Sequence, residues 1–151
     1  MRNYGFQIKM KLRKIVETCI YSSNLEAMKD FYTKSIGLEF ISEEKGRHVF
    51  LKAGKSMLLI FNPEKTIIKN DNSIFPVHGT MTPPAIIHFA FEIEKEDYED
   101  SKNMLKQNGI YIEKEVSRAK QKEESSKSIY FRDPAGNLVE FVTKYNWPIE
   151  D

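Results

Sequence analysis

Residues 130–140 read Tyr-Phe-Arg-Asp-Pro-Ala-Gly-Asn-Leu-Val-Glu and carry the clearest turn signal in the chain. Asp133 opens the turn, Pro134 suits its second position because the ring fixes φ, and Gly136 closes it. Apolar and polar residues alternate on either side of the turn, which is typical of strands. The stretch therefore predicts a hairpin between strands at about 127–132 and 138–144.

The rest of the chain repeats one pattern of elements. Ser23 and Glu26 form a capping-box signal for a first helix, and residues 95–108 predict a second helix. Apolar alternation predicts the remaining strands at about 13–21, 38–44, 47–52, 56–61, 86–93 and 110–116. Each half then reads strand, helix and three strands, which indicates a duplicated βαβββ unit. We expect one α+β domain over residues 1–151, with modules at about 12–62 and 85–145.

Two segments lack a strand or helix pattern. Residues 63–84 contain four of the six prolines of the chain and also His78, so we interpret them as the linker between modules. Residues 117–128 are polar and without period, and we expect a mobile surface loop there, with a solvated hairpin tip as its simplest description.

Composition excludes several classes of protein. Lys and Arg number 23 against 22 Asp and Glu, so the net charge of +1 gives no field that would attract nucleic acid or an anionic membrane. No window of 18 apolar residues occurs, and residues 1–12 lack the apolar segment of a signal peptide. The single cysteine, Cys19, fits a reducing cytoplasm, and we interpret it as a small apolar filler.

Three chemistry-bearing side chains fall at related positions of the repeat. Glu17, His88 and Glu140 each lie in the middle of a predicted strand between apolar residues, and Leu58 takes the fourth related position. Each alone is explained more simply, a glutamate by pairing with Lys or Arg and a histidine by a structural role. Together they would hold a divalent cation, because two carboxylates and one imidazole balance its charge and leave positions open for substrate.

These residues resemble the vicinal oxygen chelate superfamily, also called the glyoxalase, bleomycin-resistance and extradiol-dioxygenase family. Three passages carry the resemblance: Glu17 to Leu38, His88-Phe-Ala-Phe91, and Tyr130 to Glu140. The resemblance covers about residues 12–145. It implies two βαβββ modules that form an incomplete barrel around a cleft, with a metal held by Glu17, His88 and Glu140.

The sequence departs from the family pattern at two of these positions. Glu17 stands where His or Gln is commoner, and Leu58 stands where glyoxalase I enzymes carry a fourth ligand. The second departure argues against glyoxalase I activity itself. A three-ligand site is nearer to the dioxygenase or thiol-transferase branches, although those usually combine two histidines with one glutamate.

Further residues are candidates for contact with a substrate. Arg47, Tyr130 and Arg132 resemble substrate-orienting residues of the family, and an arginine binds carboxylate or phosphonate groups in a bidentate manner. Surface salt bridges explain the arginines equally well. Asn62 ends the fourth strand, and His78 is either a lid or acid–base residue or an exposed loop histidine.

The sequence supports two main functions. The first is a metal-dependent enzyme acting on a small oxygen-chelating substrate, a lyase, dioxygenase or transferase, with Glu17 and Glu140 as catalytic residues and Zn, Ni, Mn, Fe or Mg as cofactor. The second is a metal-free protein that sequesters a drug or metabolite, as bleomycin-resistance proteins do. A scaffold used only for interaction is a third. The resemblance also implies a cytoplasmic homodimer, with modules paired within or between chains.

Overall fold

The computed structural model describes residues 14–68, 76–79, 85–120 and 124–143. Its eight strands are β1 Glu17–Tyr21, β2 Glu39–Glu44, β3 His48–Ala53, β4 Ser56–Phe61, β5 His88–Glu92, β6 Ile112–Lys120, β7 Glu124–Arg132 and β8 Leu138–Val142. Its α-helices are α1 Leu25–Asp30, α2 Pro63–Thr66 and α3 Tyr98–Gln107. A π-helical turn, Phe31–Ser35, continues α1, and a 3₁₀ turn, Lys95–Asp97, precedes α3.

The strands form two sheets with the same topology. Sheet A has the order β1-β4-β3-β2 and sheet B has the order β5-β8-β7-β6. β1 pairs in parallel with β4, and β5 pairs in parallel with β8. The remaining neighbours in each sheet are antiparallel. The predicted α+β class with a repeated βαβββ order is confirmed.

The long hairpin of sheet B corrects one expectation. Residues 117–128 were expected to be a loop, but β6 runs to Lys120 and β7 begins at Glu124. Ser117 pairs with Lys127 and Arg118 pairs with Ser126 in a continuous antiparallel ladder. A polar strand lacks the apolar alternation on which strand prediction depends, so composition alone was misleading here.

The start of α1 also differs in detail from the expectation. Asn24, rather than Ser23, is the N-cap, and its side-chain oxygen accepts a hydrogen bond of 3.1 Å from the Ala27 amide. Ser23 lies one residue too early for that role. The end of this helical region is as expected, because Gly37 has φ +90°, a conformation that glycine adopts without strain.

The first helical region lies between the two sheets. Ile20, Met28, Tyr32 and Leu51 are fully buried in one cluster, against which side chains of β5 such as Phe89 also pack. The second cluster is built on sheet B and α3, and the residues of the π-helical turn pack against it as well. Each sheet therefore has one face toward this shared interior. We call the opposite face its outer face.

A buried hydrogen-bond network joins the two halves at the turn between β7 and β8. The Tyr32 hydroxyl donates to Asp133 Oδ2 at 2.7 Å, and the Ala135 and Asn137 amides donate to Asp133 Oδ1. The Asn137 side chain donates to Asp133 Oδ2 at 2.8 Å. Burial, and then the Asp133 charge, raise the pKa of Tyr32 far above its usual range, so its hydroxyl stays a donor. Asp133 thus fixes the hairpin turn and ties it to the helical region of the first half.

The linker is described only in part. It begins with α2, which Asn62 caps, and residues 76–79 are described as well. Trp147 and Pro148, which were expected to pack against the barrel or a partner chain, lie outside the described residues. Within the described part of the chain, none of the helices is long and apolar enough to cross a membrane.

Candidate metal and substrate site

His88 and Glu140 meet on the outer face of sheet B. They lie on the parallel neighbours β5 and β8, where Glu140 pairs with Ala90. His88 Nε2 is 3.2 Å from Glu140 Oε2. The Glu140 side chain is 11% exposed and that of His88 is 47% exposed. Glu140 is therefore buried, while His88 is accessible to solvent. The His88 ring also stacks on Tyr130 with centroids 6.0 Å apart.

Arg118 completes this group, although the sequence analysis did not select it. Its Nη2 donates to the Tyr130 hydroxyl at 2.8 Å and its Nη1 donates to Ser128 Oγ at 2.9 Å. Its Nη1 also lies 4.0 Å from Glu140 Oε1. Arg118 falls in the segment expected to be a loop. This part of β6 is polar on both faces, so no alternation in the sequence marks Arg118.

Glu17 lies on the other sheet and does not join this pair within one chain. It is the first residue of β1, is exposed, and belongs to the outer face of sheet A. The His88–Glu140 pair lies on the outer face of the other sheet, and each outer face is turned away from the shared interior. Within the described residues, no three His, Cys, Asp or Glu side chains converge closely enough to hold a metal ion.

The register corrects the position that was matched to Glu140 in the first half. β1 pairs Cys19 with Leu59, whereas β5 pairs Ala90 with Glu140. Leu59 is therefore the repeat equivalent of Glu140, and Leu58 was the wrong choice. Leu58 is 2% exposed and belongs to the core face, since a shift of one residue moves a strand side chain to the opposite side of a sheet.

The other predicted substrate residues have different surroundings. Arg132 donates to both carboxylate oxygens of Glu113, at 2.8 and 3.1 Å, on the surface. Arg47 lies in the turn before β3, with its Nε 3.7 Å from Glu44 Oε2. Asn62 is 6% exposed, and its side chain is used by the main chain: it accepts from the Glu64 amide and donates to the Gly46 carbonyl.

His78 lies against the outer face of sheet A. Its Nδ1 is 2.7 Å from the Tyr21 hydroxyl, and its amide donates to the Thr66 carbonyl at 3.1 Å. Cys19 is half-buried between Glu17 and Tyr21 on the same face of β1. Burial, and then the Glu17 charge, raise the pKa of the Cys19 thiol, so it is not an activated thiolate.

The match to a protein family covers most of the chain. The model of the glyoxalase/bleomycin resistance protein/dioxygenase superfamily matches residues 14–141, which include both sheets and all three predicted ligands. The chain belongs to this superfamily. The resemblance that the three sequence passages carried is therefore confirmed.

Two similar proteins carry the names of enzymes, a transferase and a lyase. Metallothiol transferase FosB of Staphylococcus epidermidis (strain ATCC 12228 / FDA PCI 1200) is 27% identical over 134 residues, which are 89% of this chain and 84% of that protein. Lactoylglutathione lyase from Agrobacterium tumefaciens, known from a crystal structure, is 31% identical in sequence to this chain. The two structures have a TM-score of 0.79, and the match covers 93% of this chain and 100% of that chain.

A more distant structure supports the fold alone. A glyoxalase/bleomycin resistance protein/dioxygenase from Alicyclobacillus acidocaldarius is 18% identical with a TM-score of 0.60 and covers 88% of this chain and 92% of its own. Membership of the superfamily is thus established, and the reaction is a separate question.

Proposed function

We propose that this protein is a metal-dependent enzyme of the superfamily, with each metal centre formed between two copies of the chain. His88 and Glu140 of one copy and Glu17 of a second copy would be the ligands. The observation that carries the proposal is the 3.2 Å contact between His88 Nε2 and Glu140 Oε2 on an accessible outer face. Two converging donors, with no third beside them among the described residues, fit a site that another copy completes.

The donor set suits a catalytic divalent metal. One imidazole and two carboxylates are ligands of Zn, Mn, Fe and Ni, while Mg prefers oxygen donors throughout. Three protein ligands leave positions for substrate oxygens, and the charges of Glu17 and Glu140 balance that of a divalent ion. When bound, the metal would act as a Lewis acid that stabilises negative charge developing on substrate oxygen.

The residues around the pair favour a substrate with a negatively charged group. Arg118 is held by Tyr130 and Ser128 beside Glu140, so its guanidinium is fixed before a substrate arrives. Fixed donors lose little entropy when an anion binds, and arginine suits carboxylate and phosphonate oxygens. Arg132 is less suited to bind an anion, because its guanidinium already donates to both carboxylate oxygens of Glu113.

The reaction class that we propose is lyase or group transfer, in line with the names of the two relatives above. Glu17 is the candidate general base. It is exposed in the single chain and would become enclosed where the second copy covers it.

Mixing two variants tests this arrangement. Glu17→Ala and His88→Ala chains should each bind less than about 0.1 metal ions per chain, since two donors are too few for a stable site. Unfolding the two together and refolding them should give about a quarter of the wild-type metal content, because half of the dimers are mixed and each mixed dimer has one intact site. The measurement is metal analysis of protein in chelator-free buffer.

The controls separate the possible outcomes. Glu92→Ala removes an exposed carboxylate from the same strand as His88 and should keep full metal content. No gain on mixing would contradict a site shared between copies. Full metal binding by Glu17→Ala would exclude Glu17 as a ligand, and absence of metal from the wild type after reconstitution would favour the metal-free binding protein instead.

A further inference from the structure

Five rings form a continuous patch on the outer face of sheet A, which we call the aromatic wall. His48 stacks on Phe50 with centroids 4.1 Å apart and planes inclined by 15°. Phe61 meets Phe50 edge to face at 5.6 Å and His48 at 5.9 Å. Tyr21 lies 6.4 Å from Phe61, and His78 meets Phe61 edge to face at 4.7 Å. The members of the aromatic wall are Tyr21, His48, Phe50, Phe61 and His78.

Strand register places the wall on the same face as Glu17. Tyr21 follows Glu17 by four residues on β1 and pairs with Phe61 on β4, which in turn pairs with His48 on β3. A strand rises about 3.3 Å per residue, so the far end of the wall lies about 13 Å along the sheet from Glu17. The wall therefore continues the face that carries the proposed ligand.

Two titratable members of the wall, His48 and Tyr21, favour their uncharged forms. Burial lowers the pKa of His48, and the smaller effects of Glu44 and Arg47 oppose each other. Burial, and then Cys19, raise the pKa of Tyr21, which keeps its hydroxyl. His48 Nδ1 is buried and has no hydrogen-bond partner among the described residues. A half-buried surface of aromatic rings favours an apolar ligand, because a charged one would lose part of its hydration there.

The segment 76–79 holds the His78 ring edge-on against this surface. Gly79 has φ +90°, and a Cβ there would lie 2.7 Å from Tyr21 Cε1 and 3.1 Å from Thr66 Oγ1. Only glycine fits so close to Tyr21. The close approach of Gly79 to Tyr21 positions the neighbouring His78 ring over Phe61, and the Tyr21 hydroxyl contacts His78 Nδ1. The segment 76–79 thus borders the wall, with the His78 ring edge-on to Phe61.

We infer that the aromatic wall is a subsite that binds a flat, uncharged group, such as an aromatic ring, at the end of the substrate remote from its metal-binding oxygens. This inference rests on the proposed function and specifies its substrate as elongated and of mixed character. Offset and edge-to-face ring contacts like those within the wall favour such a group beyond its apolar area. Tyr21 and Gly79 act as positioning residues for His78, which contacts the ligand.

Two hydroxamates test the inference. Both chelate a metal through two oxygens, but 3-phenylpropanohydroxamate has a ring that acetohydroxamate lacks. With the protein loaded with the metal that the mixing experiment identifies, we expect the phenyl compound to bind about tenfold more tightly or better. Phe50→Leu and Phe61→Leu should reduce this ratio below about threefold and leave acetohydroxamate affinity and metal content unchanged.

The matched control is Phe40→Leu, the same substitution on β2 at a side chain that is 46% exposed and outside the wall. It should leave the affinity ratio intact. Binding of both hydroxamates with equal affinity, or a ratio that survives both wall variants, would overturn the inference while the proposed function stands. If neither compound binds the metal-loaded protein, the proposed function fails and the inference fails with it.

Discussion

The outer faces of the two sheets have the same pattern of strand pairing but different side chains at the positions that matter for binding. Glu140 and Tyr130 of sheet B correspond to Leu59 and Phe50 of sheet A by strand register. Ser128 of sheet B likewise corresponds to His48 of sheet A, which stacks on Phe50. Sheet B thus groups a guanidinium, a carboxylate and an imidazole on its outer face, whereas the outer face of sheet A has a cluster of rings with Glu17, Glu44 and Lys52 around it.

This difference shows that the βαβββ unit fixes positions and leaves their chemistry open. Strand pairing places a side chain within about 5 Å of its cross-strand neighbour whatever its type, so each half can specialise without losing its ladder. In the arrangement that we propose, the polar face of one copy would contact the charged part of a substrate and the apolar face of the other copy its flat part.

The largest effect is expected where the two halves are joined, because that junction supports both faces. Asp133→Ala leaves the Tyr32 hydroxyl, two amides and the Asn137 side chain without their acceptor, and should lower the free energy of unfolding by about 3–5 kcal/mol. Tyr32→Phe removes only one bond and should cost about 1–2 kcal/mol. Urea denaturation followed by circular dichroism measures both.

The control for this pair is Glu113→Ala, which breaks the exposed ion pair with Arg132. It should change the free energy of unfolding by less than about 1 kcal/mol, since surface ion pairs contribute little. An Asp133→Ala protein as stable as this control would show that the junction does not depend on the buried carboxylate.

The next effect distinguishes the two arginines on the polar face. Arg118→Met removes the guanidinium beside Glu140 and should weaken the binding of inorganic phosphate to the metal-loaded protein by about tenfold or more, the loss expected for a charge-assisted contact. Isothermal titration calorimetry measures the affinity.

Arg132→Met is the matched variant for this measurement. It should weaken phosphate binding by less than about twofold, because Glu113 already neutralises Arg132 and other charges on the surface are screened. Equal losses in the two variants would mean that general charge, and not the position of Arg118, attracts the anion.

The smallest effect concerns the apolar face and pH. The pKa of His48 is lowered in the folded state, so the unfolded chain binds more protons, and the stability that neutral His48 supports is lost as pH falls below 6.5. Lowering the pH from 7 to 5 should therefore lower the free energy of unfolding of the wild-type protein. His48→Phe keeps a ring beside Phe50 and should flatten the pH dependence of the free energy of unfolding. An identical slope in both proteins would contradict a desolvated His48.

Particular residues show how far the sequence could be interpreted without coordinates. The hairpin at Asp133 was predictable because its turn residues each have a local reason to be there, whereas the one-residue error between Leu58 and Leu59 arose because both are leucines in one apolar run. Arg118 was missed since its strand is polar on both sides. The partner of His78 could not be foreseen, because Tyr21 is 57 residues away.

The sequence by itself determined the element order and the superfamily, because local turn chemistry and strand alternation are written in consecutive residues. It also proposed Glu17, His88 and Glu140 as candidate metal ligands, and only the tertiary structure decided which of them meet. Pairing of β5 with β8 joins His88 to Glu140, while Glu17 lies on the outer face of the other sheet. Such long-range placement depends on which faces are buried together, and no short stretch of chain encodes that choice.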